Sequence, residues 1–236
     1  MVRKFSVLLI FYFISSYTYS QTLITEGKLF YDITYKNLGP EMKRNEHMLP
    51  HEASFYFKNN KTRMEMGLGG IGKNSTIYDR EKKTSTILLN ISGKKFALVK
   101  SDSEMVEIKK SMNLDTVQKT IKIDYSNETK IIAGKTCKKA IINKTSKGIT
   151  QSSDCWYTTE IPPFNTENDA LLNEIKGFLM EYSITENGMT MVMKVKMVNP
   201  IPIEDKLFEI PPSYQLVTEK ELNRLMMVLQ NNPTGN

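Results

Sequence analysis

Two cysteines, two histidines and one tryptophan are all that the 236-residue chain contains of these residue types. Each scarcity excludes something. Two histidines, His47 and His51, leave almost no material for a Ser-His or Cys-His dyad or a histidine-rich metal centre. They lie in RNEHMLPHEAS beside Glu46 and Glu52, and Pro50 directly before His51 disfavours the helix that would align an H-x3-H pair. We read them as loop histidines, with no metal site. No G-x-S-x-G occurs. GLGGIGKN (67–74) lacks the surrounding βαβ unit and the closing Lys-Ser/Thr of a phosphate loop, so it reads as a turn. Glu204-Asp205 follows Pro202 and reads as a turn as well, not as an acid–base pair. The chain is therefore expected to be no enzyme, with no catalytic residues and no cofactor.

Long apolar runs are also lacking, except at the N-terminus. Arg3 and Lys4 precede ten apolar or aromatic-rich residues (5–14), followed by SSYTYS, with Thr18 and Ser20 at −3 and −1 of a cut before Gln21. This is the pattern of a secretory signal peptide over residues 1–20. The run falls short of the roughly 20 residues that a bilayer span needs, so no transmembrane segment is expected in the mature chain. About 216 residues then remain, enough for a single β-rich domain over 21–236. The formal net charge is +6, spread as KNNK, REKK and CKK without a basic block. No aromatic–basic interleaving supports nucleic-acid binding.

Export bears on the two cysteines. No C-x-x-C redox motif is present, and zinc would need further ligands. KTCKKAIIN and DCWYTTEI read as strands around a polar turn. If they pair antiparallel, Cys137 and Cys155 can lie opposite each other, with Cβ atoms about 4.5–5.5 Å apart. A disulfide there would close a loop worth about 3 kcal/mol. A disulfide is the expectation for an oxidising compartment, with two free thiols as the alternative.

What is abundant is strand pattern. GKLFYDITYK alternates with aromatic and β-branched residues, and ASFYFK, TRMEM, STIYD, STILLN and KKFALVK follow at the spacing of an antiparallel meander. EMVEIKKS is ambiguous. LLNEIK (171–176) suggests a helical turn. Thr218 and Glu221 form a T-x-x-E capping box before an apolar helical stretch. The fold expectation is mainly β: a curved antiparallel sheet or half-open barrel with short helices, one of them C-terminal. Five N-x-[ST] triplets (Asn60, Asn74, Asn90, Asn127, Asn143) read as chance in an Asn- and Lys-rich chain unless the source is eukaryotic.

Asn187-Gly188 joins two alternating runs, the strongest short hairpin signal. Its register sets Ile184 against Met191, Tyr182 against Met193, Met180 against Val195 and Phe178 against Met197, all on one face. Glu181 against Lys194 falls on the other. The apolar face is either plain core or the wall of a cavity for an apolar ligand. Methionine, whose flexible thioether suits irregular partners, leans toward the second. Its candidate lining is Phe178, Met180, Tyr182, Ile184, Met191, Met193, Val195 and Met197.

ETKIIAGKTCKKAIIN, WYTTEIPPFN, the hairpin, and DKLFEIPPSYQLVTEKEL together resemble exported proteins of Gram-negative bacteria: the GLPGLI-type family and a related family of unknown function. The match spans roughly residues 128–222. The GLPGLI hexapeptide is missing, with LLNEIKGFLME near its place, which favours the second family. The resemblance implies a fold similar to periplasmic lipoprotein carriers, a half-barrel with helices closing its concave face, along which Phe178, Met180, Tyr182, Met191 and Met193 would lie. It implies no catalytic residue. The functional expectation is a non-catalytic periplasmic or outer-membrane-associated protein that binds or carries a lipid-like ligand. The alternative is a structural or interaction protein of the envelope with a filled core and a protein partner.

Overall fold

The computed structural model describes residues 23–111, 119–146, 148–164, 174–186 and 188–231. The proposed signal peptide and the first half (171–173) of the 171–176 turn lie outside these residues. Twelve strands form one curved, open sheet. They are β1 (Glu26–Lys36), β2 (Glu52–Lys58), β3 (Lys61–Gly67), β4 (Gly72–Asp79), β5 (Thr84–Ile91), β6 (Lys94–Ser101), β7 (Lys119–Ile132), β8 (Lys135–Ser146), β9 (Ile149–Thr158), β10 (Phe178–Glu186), β11 (Met189–Asn199) and β12 (Gln215–Leu216). Their order across the sheet is β12-β6-β5-β4-β3-β2-β1-β11-β10-β9-β8-β7. Two meanders are joined where β1 pairs with β11, and every pairing except β12–β6 is antiparallel. Three helices accompany the sheet among the described residues: α1 (Pro40–Arg44), α2 (Asp102–Ser111) and α3 (Glu219–Asn231). The mainly-β expectation with a C-terminal helix holds. The ambiguous EMVEIKKS is helical, as part of α2.

Period-two alternation assigns the faces. Register carries one row across six strands: Leu29, Phe55, Met64, Thr76, Ile87 and Leu98. At one end of this face, Leu29, Tyr31, Ile33, Phe55 and Phe57 pack with Phe178, Met180, Met193 and Val195 into the largest buried cluster. Phe55, Phe57, Phe164 and Phe178 form tilted, stacked and edge-on ring pairs with centroids 5.0–6.2 Å apart. At the other end, Leu222 and Leu225 of α3 pack with Val217 over Phe96 and Leu98. The capping box starts that helix: Glu221 accepts from the Thr218 backbone N–H at 2.7 Å, and Thr218 Oγ1 accepts from the Glu221 N–H at 3.3 Å.

The opposite face of β3–β6 is covered by residues 201–214, where Ile203 and Phe208 pack on Ile77, Leu88 and Ala97. Polar clamps hold this strap. Lys58 Nζ donates to the Ile203 carbonyl at 2.8 Å and pairs with Asp205 at 3.1 Å. Arg63 Nη1 donates to the Leu207 carbonyl at 2.8 Å.

Three pairings carry a register shift, one of them in β7 between Tyr125 and Thr129, and the other two redirect side chains. Tyr31 pairs with Val195 but Phe30 pairs with Met197, so β11 carries one extra residue at Lys196. In β10, Leu179 pairs with Tyr157 and Glu181 with Trp156, so Met180 is extra there. Such bulges bend a strand and re-aim its side chains.

Candidate functional site

The hairpin register is as the sequence suggests where β10 and β11 pair. Glu186 faces Met189, Ile184 faces Met191, Tyr182 faces Met193 and Glu181 faces Lys194. The Glu181–Lys194 ion pair forms at 3.7 Å. The apolar face turns into packed interior. Phe178, Met180, Met193 and Val195 are buried, and Tyr182 and Met191 pack against the same cluster, half-buried. Ile184 is half-buried on β10. Met197 departs from this face. The bulge at Lys196 turns it to the opposite side, where it is 47% exposed beside Phe30.

The two cysteines are not bonded, and the expected disulfide is corrected. Cys155 lies opposite Ala140, while Cys137 sits three residues along the same strand, opposite Lys130. An odd offset puts the two side chains on opposite faces. Cys137 accordingly belongs to the cluster of Phe178 and Met180, and Cys155 to that of Ala140, Ile142 and Tyr157. Burial pushes both thiols up from the ordinary 9.0 to about 11. At neutral pH both are protonated and poor nucleophiles.

Met197 and Phe30 lead to the feature that sequence reading missed. They floor an open cavity of about 880 Å³ on the face away from the large cluster. Its wall comes from Leu49, Pro50 and His51, from Ser54 of β2, and from Glu65 and Lys73. Local chemistry explains the wall. The segment 45–51 runs from α1 through a tight 3₁₀ turn at Glu46–Met48, and His51 Nε2 lies 3.1 Å from the Glu46 carbonyl oxygen. Tyr35 holds it from below: its hydroxyl donates to the Pro50 carbonyl at 2.8 Å, and its ring meets that of His51 edge-on at 6.0 Å. The glycine-rich turn 67–72 closes the other side. Gly69, at φ +53°, lies against the Met48 backbone where no side chain fits.

The charges at this site are paired. Glu65 accepts from Lys73 at 2.6 Å and from Arg63 Nε at 2.8 Å. Burial would raise the Glu65 carboxyl, but the hydrogen bond to Lys73 and the charges of Arg63 and Lys73 hold it below the ordinary 4.5. On the other side Lys196 bridges Asp32 at 3.2 Å and Glu52 at 3.7 Å. Lys28 Nζ stands 4.1 Å from the Phe30 ring centroid, a cation–π contact. The site is thus an apolar floor between two neutralised ion-pair groups, suited to binding. No cluster of three or more metal-ligating side chains occurs among the described residues. No helix among them is long and apolar enough to cross a membrane.

Residues 40–214 match a family described as a domain of unknown function, DUF4412. The chain belongs to that family. The matched range contains Leu49, Ser54, Glu65, Lys73 and Met197, while Phe30 and α3 lie outside it. A comparison with curated proteins finds no match.

Proposed function

We propose that this DUF4412 chain is a non-catalytic, exported protein of the bacterial envelope that holds a ligand with an apolar body in the cavity over Phe30 and Met197. The single observation that carries the reading is that cavity. Its volume of about 880 Å³ falls in the range of roughly 300–1,000 Å³ usual for small-molecule sites. Phe30, Leu49, Pro50 and Met197 give it apolar surface, and burial of about 25 cal/mol per Å² supplies affinity without covalent chemistry. The N-terminal pattern and the resemblance to exported GLPGLI-type proteins support a periplasmic or outer-membrane-associated location.

The ligand is assigned to this face because the methionine face of β10 and β11 is packed. That packing also favours a second reading, in which the protein is an envelope interaction module with a filled core and no ligand.

Native mass spectrometry of the chain from Gln21, with solvent extraction of the same sample, separates them. A bound mass recovered as a lipid, and lost in Met197→Lys, supports the cavity reading. A bare chain, together with an apolar fluorescent probe that binds wild type and Met197→Lys equally, overturns it.

A further inference from the structure

We propose that β7 is a self-docking edge, on which a second copy of this chain pairs antiparallel about Ile123. In the sheet order β7 is terminal, with β8 as its neighbour on one side. The opposite edge of the main sheet is β6, and residues 215–216 cap it as β12. β7 has no such cap among the described residues. It is also the longest strand, 14 residues, and its regular run before a register shift at Tyr125–Thr129 is Lys119–Tyr125.

A long edge of this kind recruits other strands unless something restricts it. Here the restriction is a charge pattern that is complementary to itself. Ile121 and Ile123 point to the apolar side and pack against the cluster of Ala140, Ile142 and Cys155. Tyr125 pairs with Ala140 and stays 40% exposed. Its hydroxyl donates to the Glu174 carbonyl at 2.9 Å, and the Lys176 N–H donates to it at 3.2 Å. On the other side Lys122 and Asp124 form an exposed ion pair at 3.0 Å, with Asp124 also accepting from Asn143 at 2.8 Å.

A two-fold axis at Ile123 sets Ile123 against its own copy, Ile121 against Tyr125, and Lys122 against Asp124. Apolar meets apolar on one face, and unlike charges meet on the other. An axis at Lys122 puts lysine opposite lysine, and an axis at Asp124 puts carboxylate opposite carboxylate. Like charges directly opposite are unfavourable, so of these three axes the one at Ile123 is favoured, and it lies within the regular run ahead of the Tyr125–Thr129 shift. An antiparallel ladder closes about a single residue in either hydrogen-bonding phase. The arrangement is isologous, as a two-fold dimer requires. It joins the two sheets and extends the apolar cluster of Ala140, Ile142 and Cys155 across the boundary. The partner is a second copy because no unrelated strand is required to carry both complementary patterns.

The test is native mass spectrometry and light scattering of the chain from Gln21, with charge swaps. Wild type is expected at twice the chain mass. Lys122→Asp and Asp124→Lys each place like charges opposite and are expected to weaken dimerisation by about tenfold in Kd or more. The double variant K122D/D124K restores it. Ile123→Cys is expected to give a disulfide-linked dimer under mild oxidation, and Ile121→Cys, which faces Tyr125, is not. The cysteine pair decides the matter even if a charge variant folds poorly by circular dichroism. A monomer throughout, or a dimer indifferent to both single swaps and uncrosslinked at position 123, overturns the proposal.

Discussion

Met197 lies opposite Phe30 although Val195, two residues earlier, lies opposite Tyr31. The one extra residue, Lys196, sends Val195 into the buried aromatic cluster and Met197 into the open cavity. Strict alternation would have kept both methyl-bearing side chains together. The bulge separates them and gives the cavity half of its floor.

A packed methionine face has an energetic signature. Met180 is fully buried within the large cluster. Met180→Ala is expected to lower unfolding free energy by about 2–5 kcal/mol, the range for truncation in a filled core. Chemical denaturation measures it. A loss below about 1 kcal/mol would mean that the side chain borders a void already.

The thiols set a high-pH limit. The intact chain is expected at its fully reduced mass, unlabelled by iodoacetamide until denatured. Both thiols have folded values raised from 9.0 to about 11 by burial. The unfolded chain therefore releases these protons first as pH rises. Their contribution is fully present below about pH 9 and is lost progressively toward pH 11. Replacing both cysteines with alanine should flatten that part of the pH–stability curve, and an unchanged slope would assign it to other groups.

Glu65 gives the opposite sign. Its carboxyl is held below the ordinary 4.5 in the folded chain. The stabilisation is present above that value and is lost as pH falls through the folded one. Glu65→Ala leaves Arg63, buried and bridging to Ser75 and the Leu207 carbonyl, without its carboxylate. The expected cost is about 3–5 kcal/mol, typical of breaking one half of a buried pair. Replacing Arg63 and Glu65 together with Met and Leu should cost less than Glu65→Ala alone, and a double variant at least as unstable would locate the cost elsewhere.

Two helices depend on small caps. Thr218→Ala removes the acceptor for the Glu221 N–H, and Ser101→Ala removes the hydroxyl that contacts Glu104 and its N–H. Each should cost about 1 kcal/mol. Thermal melts of the single and double variants should show losses that depart from additivity, since Lys100 pairs with Glu104 of one helix and Glu219 of the other.

Local chemistry in the sequence determined much of this protein. Alternation and turn residues specified the strands, Asn187-Gly188 specified the β10–β11 register near the turn, and Thr218-x-x-Glu221 specified the start of α3. The same rule was available at Ser101-x-x-Glu104, which forms an equivalent box ahead of α2. That signal is readable in the sequence, although the run after it is ambiguous. The tertiary structure decided what depends on distance along strands. The β8–β9 register set Cys137 three residues from the partner of Cys155, because one step of slip reverses every side chain. A bulge with no sequence signature of its own moved Met197 to the other face. The cavity joins residues from β1 to β11 through pairings between strands more than 150 positions apart. Such contacts arise where the two meanders join through β1 and β11, and no window of neighbouring residues encodes them.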